Sequence, residues 1–118
     1  MEFVAFVGED KENWGQITAL INRIESNKIF LVKNKKAEDF PKNQKCEIIE
    51  VNSEKSLLEL KSEIMDKLKQ RLSKEFEVSL SIASGTGKEH MALISALLSV
   101  PVGIRLVVFT KQGLEYIN

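Results

Sequence analysis

The chain has 118 residues, 43% hydrophobic and 29% charged, which fits a single globular domain over 1–118 with enough length to bury a core. Lys plus Arg and Asp plus Glu balance at 17 each, so a general nucleic-acid coat is disfavoured and no direct DNA binding is expected. No apolar run reaches membrane-spanning length, the run between Glu2 and Glu9 is too short for a signal peptide, and the single Cys46 cannot form an internal disulfide. A soluble, cytoplasmic protein in a reducing compartment is expected, with Cys46 a buried, inert thiol.

Phe3-Val4-Ala5-Phe6-Val7 is a continuous apolar run ending at Gly8, as in a strand buried on both faces. Asp10 is placed to cap a helix whose apolar face is Trp14, Ile17, Leu20, Ile21 and Ile24, with Asn27 at its end. Ile29 to Val32 reads as a second strand. Residues 33–45 carry Lys33, Lys35, Lys36, Lys42 and Lys45 against Glu38 and Asp39, with one helical turn expected from Ala37 to Phe40 before Pro41. This lysine run is a solvated loop or a source of charge for a phosphate.

Cys46 to Val51 is a third strand. Asn52 or Ser53 is expected to cap a long helix to about Lys74, apolar at Leu57, Leu60, Ile64, Leu68 and Leu72 and widened by Leu58 and Met65. A fourth strand, Val78 to about Ala83, leads through Ser84-Gly85-Thr86-Gly87-Lys88 into a helix to Ser99. That helix is apolar nearly all round from Met91 to Leu98, so it is expected to be largely buried. Pro101 and Gly103 end it. Ile104–Phe109, a turn at Lys111-Gln112-Gly113, and Leu114–Ile117 close the chain as an antiparallel hairpin. The fold class is therefore α/β and Rossmann-like: a mainly parallel sheet, helices on both faces, and a C-terminal antiparallel β-hairpin.

In such a sheet ligands bind beyond the carboxyl ends of the strands, where strand order reverses. With the first strand central, the loops at that point are Gly8–Asn13 and Ser84–Lys88. The second offers two glycines, two hydroxyls and a lysine at a helix N-terminus, where free N–H groups and the helix dipole favour an anion. It is not a P-loop, which needs Gly where Ile82 stands and Ser or Thr where Glu89 stands. Nor is it a dinucleotide fingerprint, which needs Gly or Ala at His90. The alternative is a tight turn in which Gly85 and Gly87 serve only the backbone.

His90, the sole histidine, either reaches a ligand as an acid or base or is a partly buried helix residue. Glu9, Asp10 and Glu12 are explained by a capped, solvated helix start, so no metal is assigned, and no cofactor motif is found. Ala92, Ser95, Ala96 and Ser99 form a small-residue stripe that packs on the domain's own sheet or on the same helix of a second subunit.

The stretch Val78 to Leu98, a strand ending in Ser84-Gly85-Thr86-Gly87-Lys88 before an apolar helix, resembles the signature loop of CRISPR-associated Rossmann-fold (CARF) domains. A polar loop after the first strand, a long helix before the fourth and a closing hairpin extend the resemblance over nearly the whole chain. Thr86-Gly87 stands in reverse of the family's usual Gly-Thr order, and the loop after the first strand is acidic.

The resemblance implies a stand-alone antiviral-defence sensor that binds a cyclic oligoadenylate or related nucleotide across a homodimer axis. Ser84, Gly85, Thr86, Gly87 and Lys88 would contact the ligand, with Gly8 and Glu9 opposite. Two rivals remain open. One is a metal-independent ring nuclease, with Lys88 stabilising the transition state and His90 shuttling a proton. The other is a dimerising interaction module with no small-molecule ligand.

Overall fold

Glu2–Val7 (β1) is buried along its whole length, and this follows from its place in the sheet. The computed structural model describes residues 1–41, 43–73 and 75–118; Lys42 of the basic loop and the helix end expected at Lys74 lie outside the described residues. The other strands are β2 (Ile29–Asn34), β3 (Cys46–Val51), β4 (Glu77–Ser81), β5 (Gly103–Thr110) and β6 (Gly113–Tyr116). Their order is β3-β2-β1-β4-β5-β6, with β1 to β5 mutually parallel and β6 antiparallel to β5. The Rossmann-like class expected from the sequence holds, including the parallel β2–β3 pairing through residues 35–45.

The helices are α1 (Trp14–Arg23), entered through a 3-10 turn at Lys11–Asn13, α2 (Leu57–Lys69) and α3 (Gly87–Ser99). Chain direction dictates their faces. The β1-to-β2-to-β3 path runs one way across the sheet, whereas β3-to-β4-to-β5 runs the other. Crossovers of a single hand must then lie on opposite faces. Accordingly Trp14, Ile17, Leu20 and Ile21 pack with Phe3, Ala5, Val7 and Leu31 on one face. Leu60, Ile64, Leu68, Leu93 and Leu97 pack with Val4, Phe6, Phe30 and Leu80 on the other.

Several local expectations are corrected. Residues 35–40 form turns closed by Ala37 N–H to Asn34 O (2.8 Å), not a helical turn, and they sink Ala37 and Phe40 into the α1 face. Phe40 meets Trp14 edge-on, centroids 5.3 Å apart, so Trp14 is core. Helix α1 stops before Asn27 because Ile24 turns extended after its N–H reaches Leu20 O. Helix α2 starts three or four residues later than expected: Asn52 closes a turn with its own side chain, and Ser56 is the residue that caps, accepting from the Glu59 N–H.

Leu58 points away from the α2 stripe and is 74% exposed. Helix α3 is less enclosed than its composition implies, since only one side meets the sheet and α2; Met91 and Leu98 are each 60% exposed. Within its small-residue stripe Ala92 and Ala96 are fully buried against the domain's own core, while Ser99 is exposed. Cys46 is half-buried, and burial raises its thiol pKa against a smaller opposing effect of Lys45. No helix among the described residues is long and apolar enough to cross a membrane.

The contrast between Ile64 and Leu58 on one helix gives a direct check. Ile64→Ala should cost about 2–5 kcal/mol through lost burial and a residual cavity. Leu58→Ala should stay within about 0.5 kcal/mol. Urea unfolding of both variants measures this, and equal costs would contradict the placement of α2.

Candidate functional site

The strand order reverses at β1, whose neighbours β2 and β4 lead into oppositely directed crossovers. The loops leaving β1 and β4 are drawn together there. The Gly8 N–H donates to Ser84 Oγ (2.9 Å), and the same hydroxyl donates to Asp10 Oδ1 (2.6 Å). Asp10 Oδ1 also accepts the Gly85 N–H (3.0 Å), and its Oδ2 accepts from Asn13 Nδ2 (2.7 Å). The Trp14 indole N–H donates to Gly8 O (2.9 Å). Ser84 is wholly buried, so its hydroxyl is a fixed part of the floor.

The backbones can approach this closely because both positions lack a side chain. A Cβ on Gly8 would lie 2.7 Å from Gly85 Cα. Gly85 has φ +111°, and a Cβ there would lie 2.9 Å from Phe6 Cδ1 and 3.1 Å from His90 Nε2. Gly87 differs: its φ is not positive, and a Cβ would meet nothing within 4 Å.

Asp10 stands at the N-cap position of the 3-10 turn that leads into α1, as expected, but its carboxylate caps neither helical segment that follows. Burial pushes the Asp10 carboxyl up, but hydrogen bonds from Ser84, Asn13 and the Gly85 N–H outweigh it and hold the pKa below 3.8.

A second carboxylate organises the neighbouring wall. Thr86 and Glu89 form a reciprocal capping box: Glu89 N–H donates to Thr86 Oγ1 (3.2 Å), and Thr86 N–H donates to Glu89 Oε1 (2.8 Å). Glu89 Oε2 accepts from Asn34 Nδ2 (3.1 Å) and from the Ser53 hydroxyl. Although buried, the Glu89 carboxylate has partners on three segments of chain. Lys88 Nζ donates to Ser53 O (2.8 Å), and Lys36 pairs with Glu54.

Above these bonds lies a cleft of about 520 Å³. Glu9 and Asp10 line it after β1, Asn34 and Lys36 at the end of β2, Ser53 and Glu54 after β3, and Gly85, Thr86, Lys88 and Glu89 after β4. Of the site residues expected from sequence, Glu9, Gly85, Thr86 and Lys88 line this cleft. Gly87 is exposed at the start of α3, while Ser84 and Gly8 lie beneath. His90 is turned to the loop, its Nε2 2.7 Å from Ser84 O; a carbonyl only accepts, so that nitrogen carries the proton.

Sequence reasoning missed Asn34, Ser53, Glu54 and Glu89 as residues of this cleft, and reached Lys36 only as one of the lysine run given as a source of phosphate charge. Only Glu89 had a local signal, the Thr-x-x-Glu spacing of a capping box. Among the described residues no group of three or more His, Cys, Asp and Glu is arranged to hold a metal ion.

Two N–H groups at the start of α3, those of Gly87 and Lys88, have no acceptor among the described residues. With the Lys88 ammonium they are the groups here able to meet an added anion.

Two measurements test this geometry. Gly85→Ala should destabilise the protein strongly, whereas Gly87→Ala should be neutral or stabilise by about 0.4–1 kcal/mol. For Asp10 the sign follows from its depressed pKa: its contribution is complete above 3.8 and is lost as pH falls through the lower folded value. Wild type should therefore lose stability on acidification over that window, and Asp10→Asn, weaker at neutral pH, should lose less. Parallel acid titrations of the melting temperature would contradict the role given to Asp10. No family model matches the chain, and no curated protein matches it.

Proposed function

We propose that this chain is a CARF-like sensor domain that binds a cyclic oligoadenylate or a related nucleotide signal at the switch-point cleft, acting as a cytoplasmic homodimer. The observation that carries the reading is Lys88. Its ammonium and backbone N–H, with the Gly87 N–H, stand free or weakly held at the exposed N-terminus of α3, beside a cleft large enough for a nucleotide. A phosphodiester there would meet two N–H donors and a cation in exchange for one exposed bond to Ser53 O. Within this reading Ser84, Gly85 and Gly8 set the loop's shape from below, and Thr86 starts the helix. Glu9 and Lys36 face the ligand from the opposite walls.

Retention is favoured over cleavage by the state of His90. Its Nε2–H is committed to Ser84 O, which makes it a brace for the loop, and Lys88 alone supplies charge without a proton relay. Association as a dimer is supported by the outward side of α3. Met91 and Leu98 lie seven residues apart on one exposed helical stripe, with Ile94 and Ser95 half-buried between them. A two-fold contact through this stripe would bring the two Lys88 ends near one another when its axis runs along α3.

Calorimetric titration with cyclic tetraadenylate and cyclic hexaadenylate tests the assignment. Lys88→Ala should weaken binding about ten- to hundredfold, the cost of a charge-assisted contact, with its melting curve nearly unchanged. Equal affinity in wild type and variant, or no binding to either ring, overturns the proposal. Light scattering should show a dimer that Leu98→Glu converts to monomer.

A further inference from the structure

Of the two edge strands, β3 is the longer, six residues against four for β6, and an open edge is a template for pairing with another chain. Backbone groups alternate between the two sides of a strand. Val51 O accepts the Lys35 N–H (3.0 Å), so Glu47, Ile49 and Val51 face β2, while Cys46, Ile48, Glu50 and the Asn52 N–H face outward. At the lower end a turn folds over this edge, the Cys46 N–H donating to Asn43 O (3.0 Å). At the upper end α2 supplies the caps: Lys67 Nζ donates to Glu50 O (2.7 Å), and Glu63 Oε1 accepts the Asn52 N–H (3.2 Å). Between them neither backbone group of Ile48 has a partner among the described residues, and its side chain is 38% exposed.

Glu63, Lys67 and Arg71 stand at i, i+4 and i+8, one row along α2 and the turn after it. Lys67 also bonds Glu63 (3.0 Å), and Arg71 pairs with Glu47 of β3. Burial pushes the Glu63 carboxyl up, but bonds from Lys67 and the Asn52 N–H outweigh it and hold its pKa below 4.5, so it stays ionised at neutral pH. We infer that this charged row guards the β3 edge, holding it closed to the β3 strand of a second copy of the chain. The guard is independent of what the switch-point cleft binds. An outward carbonyl on an exposed edge is satisfied by water, so the fold itself does not need the Lys67 bond. Nor do the strand's own side chains forbid self-pairing. Two β3 strands set antiparallel about Ile48 would place Cys46 opposite Glu50 and Glu47 opposite Ile49, with no like charges directly opposed. What forbids it is occupancy: Lys67 Nζ and Asn43 O already fill the positions that the second copy's Cys46 N–H and Glu50 O would take.

Glu50→Cys is the reporter. In the excluded pairing the introduced thiol lies opposite Cys46 of the second copy, at about the 5.5 Å Cα separation of a hydrogen-bonded antiparallel pair, which a disulfide spans. Within one chain the two positions are about 13 Å apart along an extended strand, too far to bridge. All variants carry Leu98→Glu, so that contact along α3 does not contribute. The bridge from Cys46 to position 50, identified by peptide mass after oxidation, should form slowly with the row intact. It should form at least about tenfold faster once Lys67→Met and Arg71→Met are added, the shift expected when a charge-assisted hydrogen bond no longer competes. Lys67→Arg, which keeps a donor for Glu50 O, should match the intact row. Equal rates with and without the row, both slow or both fast, overturn the guard, as does Lys67→Arg bridging as fast as the methionine variant. The unaltered chain gives a second reading that no misfolded variant can obscure. The outward but capped Asn52 amide should exchange with deuterium more slowly than the uncapped Ile48 amide, each corrected for its intrinsic rate, and equal exchange also overturns the guard.

Discussion

One buried hydroxyl connects the two halves of the sheet at its upper edge. Ser84 Oγ accepts the Gly8 N–H and donates its own hydrogen bond to Asp10, 74 residues away in sequence. Everything above it depends on that link, because it sets the distance between the loops leaving β1 and β4. Two glycines make the distance attainable, and a carboxylate that also takes the Gly85 N–H makes it favourable. A polar group this deep is stabilising only when fully partnered, and the Ser84 hydroxyl both donates and accepts.

The second organising group, Glu89, serves the same end from the other side. It closes the α3 cap and holds Asn34 and Ser53, so β2's end, the 52–56 loop and α3 are bonded to one carboxylate. In a P-loop the bound phosphate itself draws backbone N–H groups into a cradle. Here internal carboxylates take that role for two of the N–H groups, which leaves a loop already ordered without ligand. A preordered loop loses less entropy on binding, at the cost of fewer donors for the ligand.

What the sequence disclosed, and what it did not, follows the range of the interactions. The apolar runs at Phe3–Val7 and Ile29–Val32 marked strands because burial pattern is local. The helix–strand alternation carried the parallel sheet, and the short Lys111–Gly113 link carried the antiparallel hairpin. The start of α2 was less legible, since Asn52, Ser53 and Ser56 are all good caps. The choice fell to Ser56 because Ser53 is used by Glu89, 36 residues on, which no local pattern reveals. Asp10 holds the N-cap position its sequence marks, but Ser84 and Gly85, from another loop, take its carboxylate for the same reason. Met91 and Leu98 looked buried because hydropathy does not say which side of a helix meets a neighbour.

The position of α3 joins the parts of the proposed function. Its first turn carries Lys88 and the free N–H groups, its inner side packs Ala92, Leu93, Ala96 and Leu97 on the sheet and α2, and its outer side exposes Met91 and Leu98. A ligand at the N-terminus and a second subunit along the flank would therefore act on one rigid element. Differential affinity for two dimer arrangements requires that the ligand contact something that moves between them. Lys88 is placed to be that contact, since it now holds Ser53 O and can exchange that carbonyl for a phosphate without disturbing the Glu89 bonds beneath. The exchange alters the tie between α3 and the 52–56 loop while the floor formed by Ser84, Gly8 and Asp10 stays fixed. A sensor built this way would transmit occupancy through the wall of the cleft and keep its floor constant.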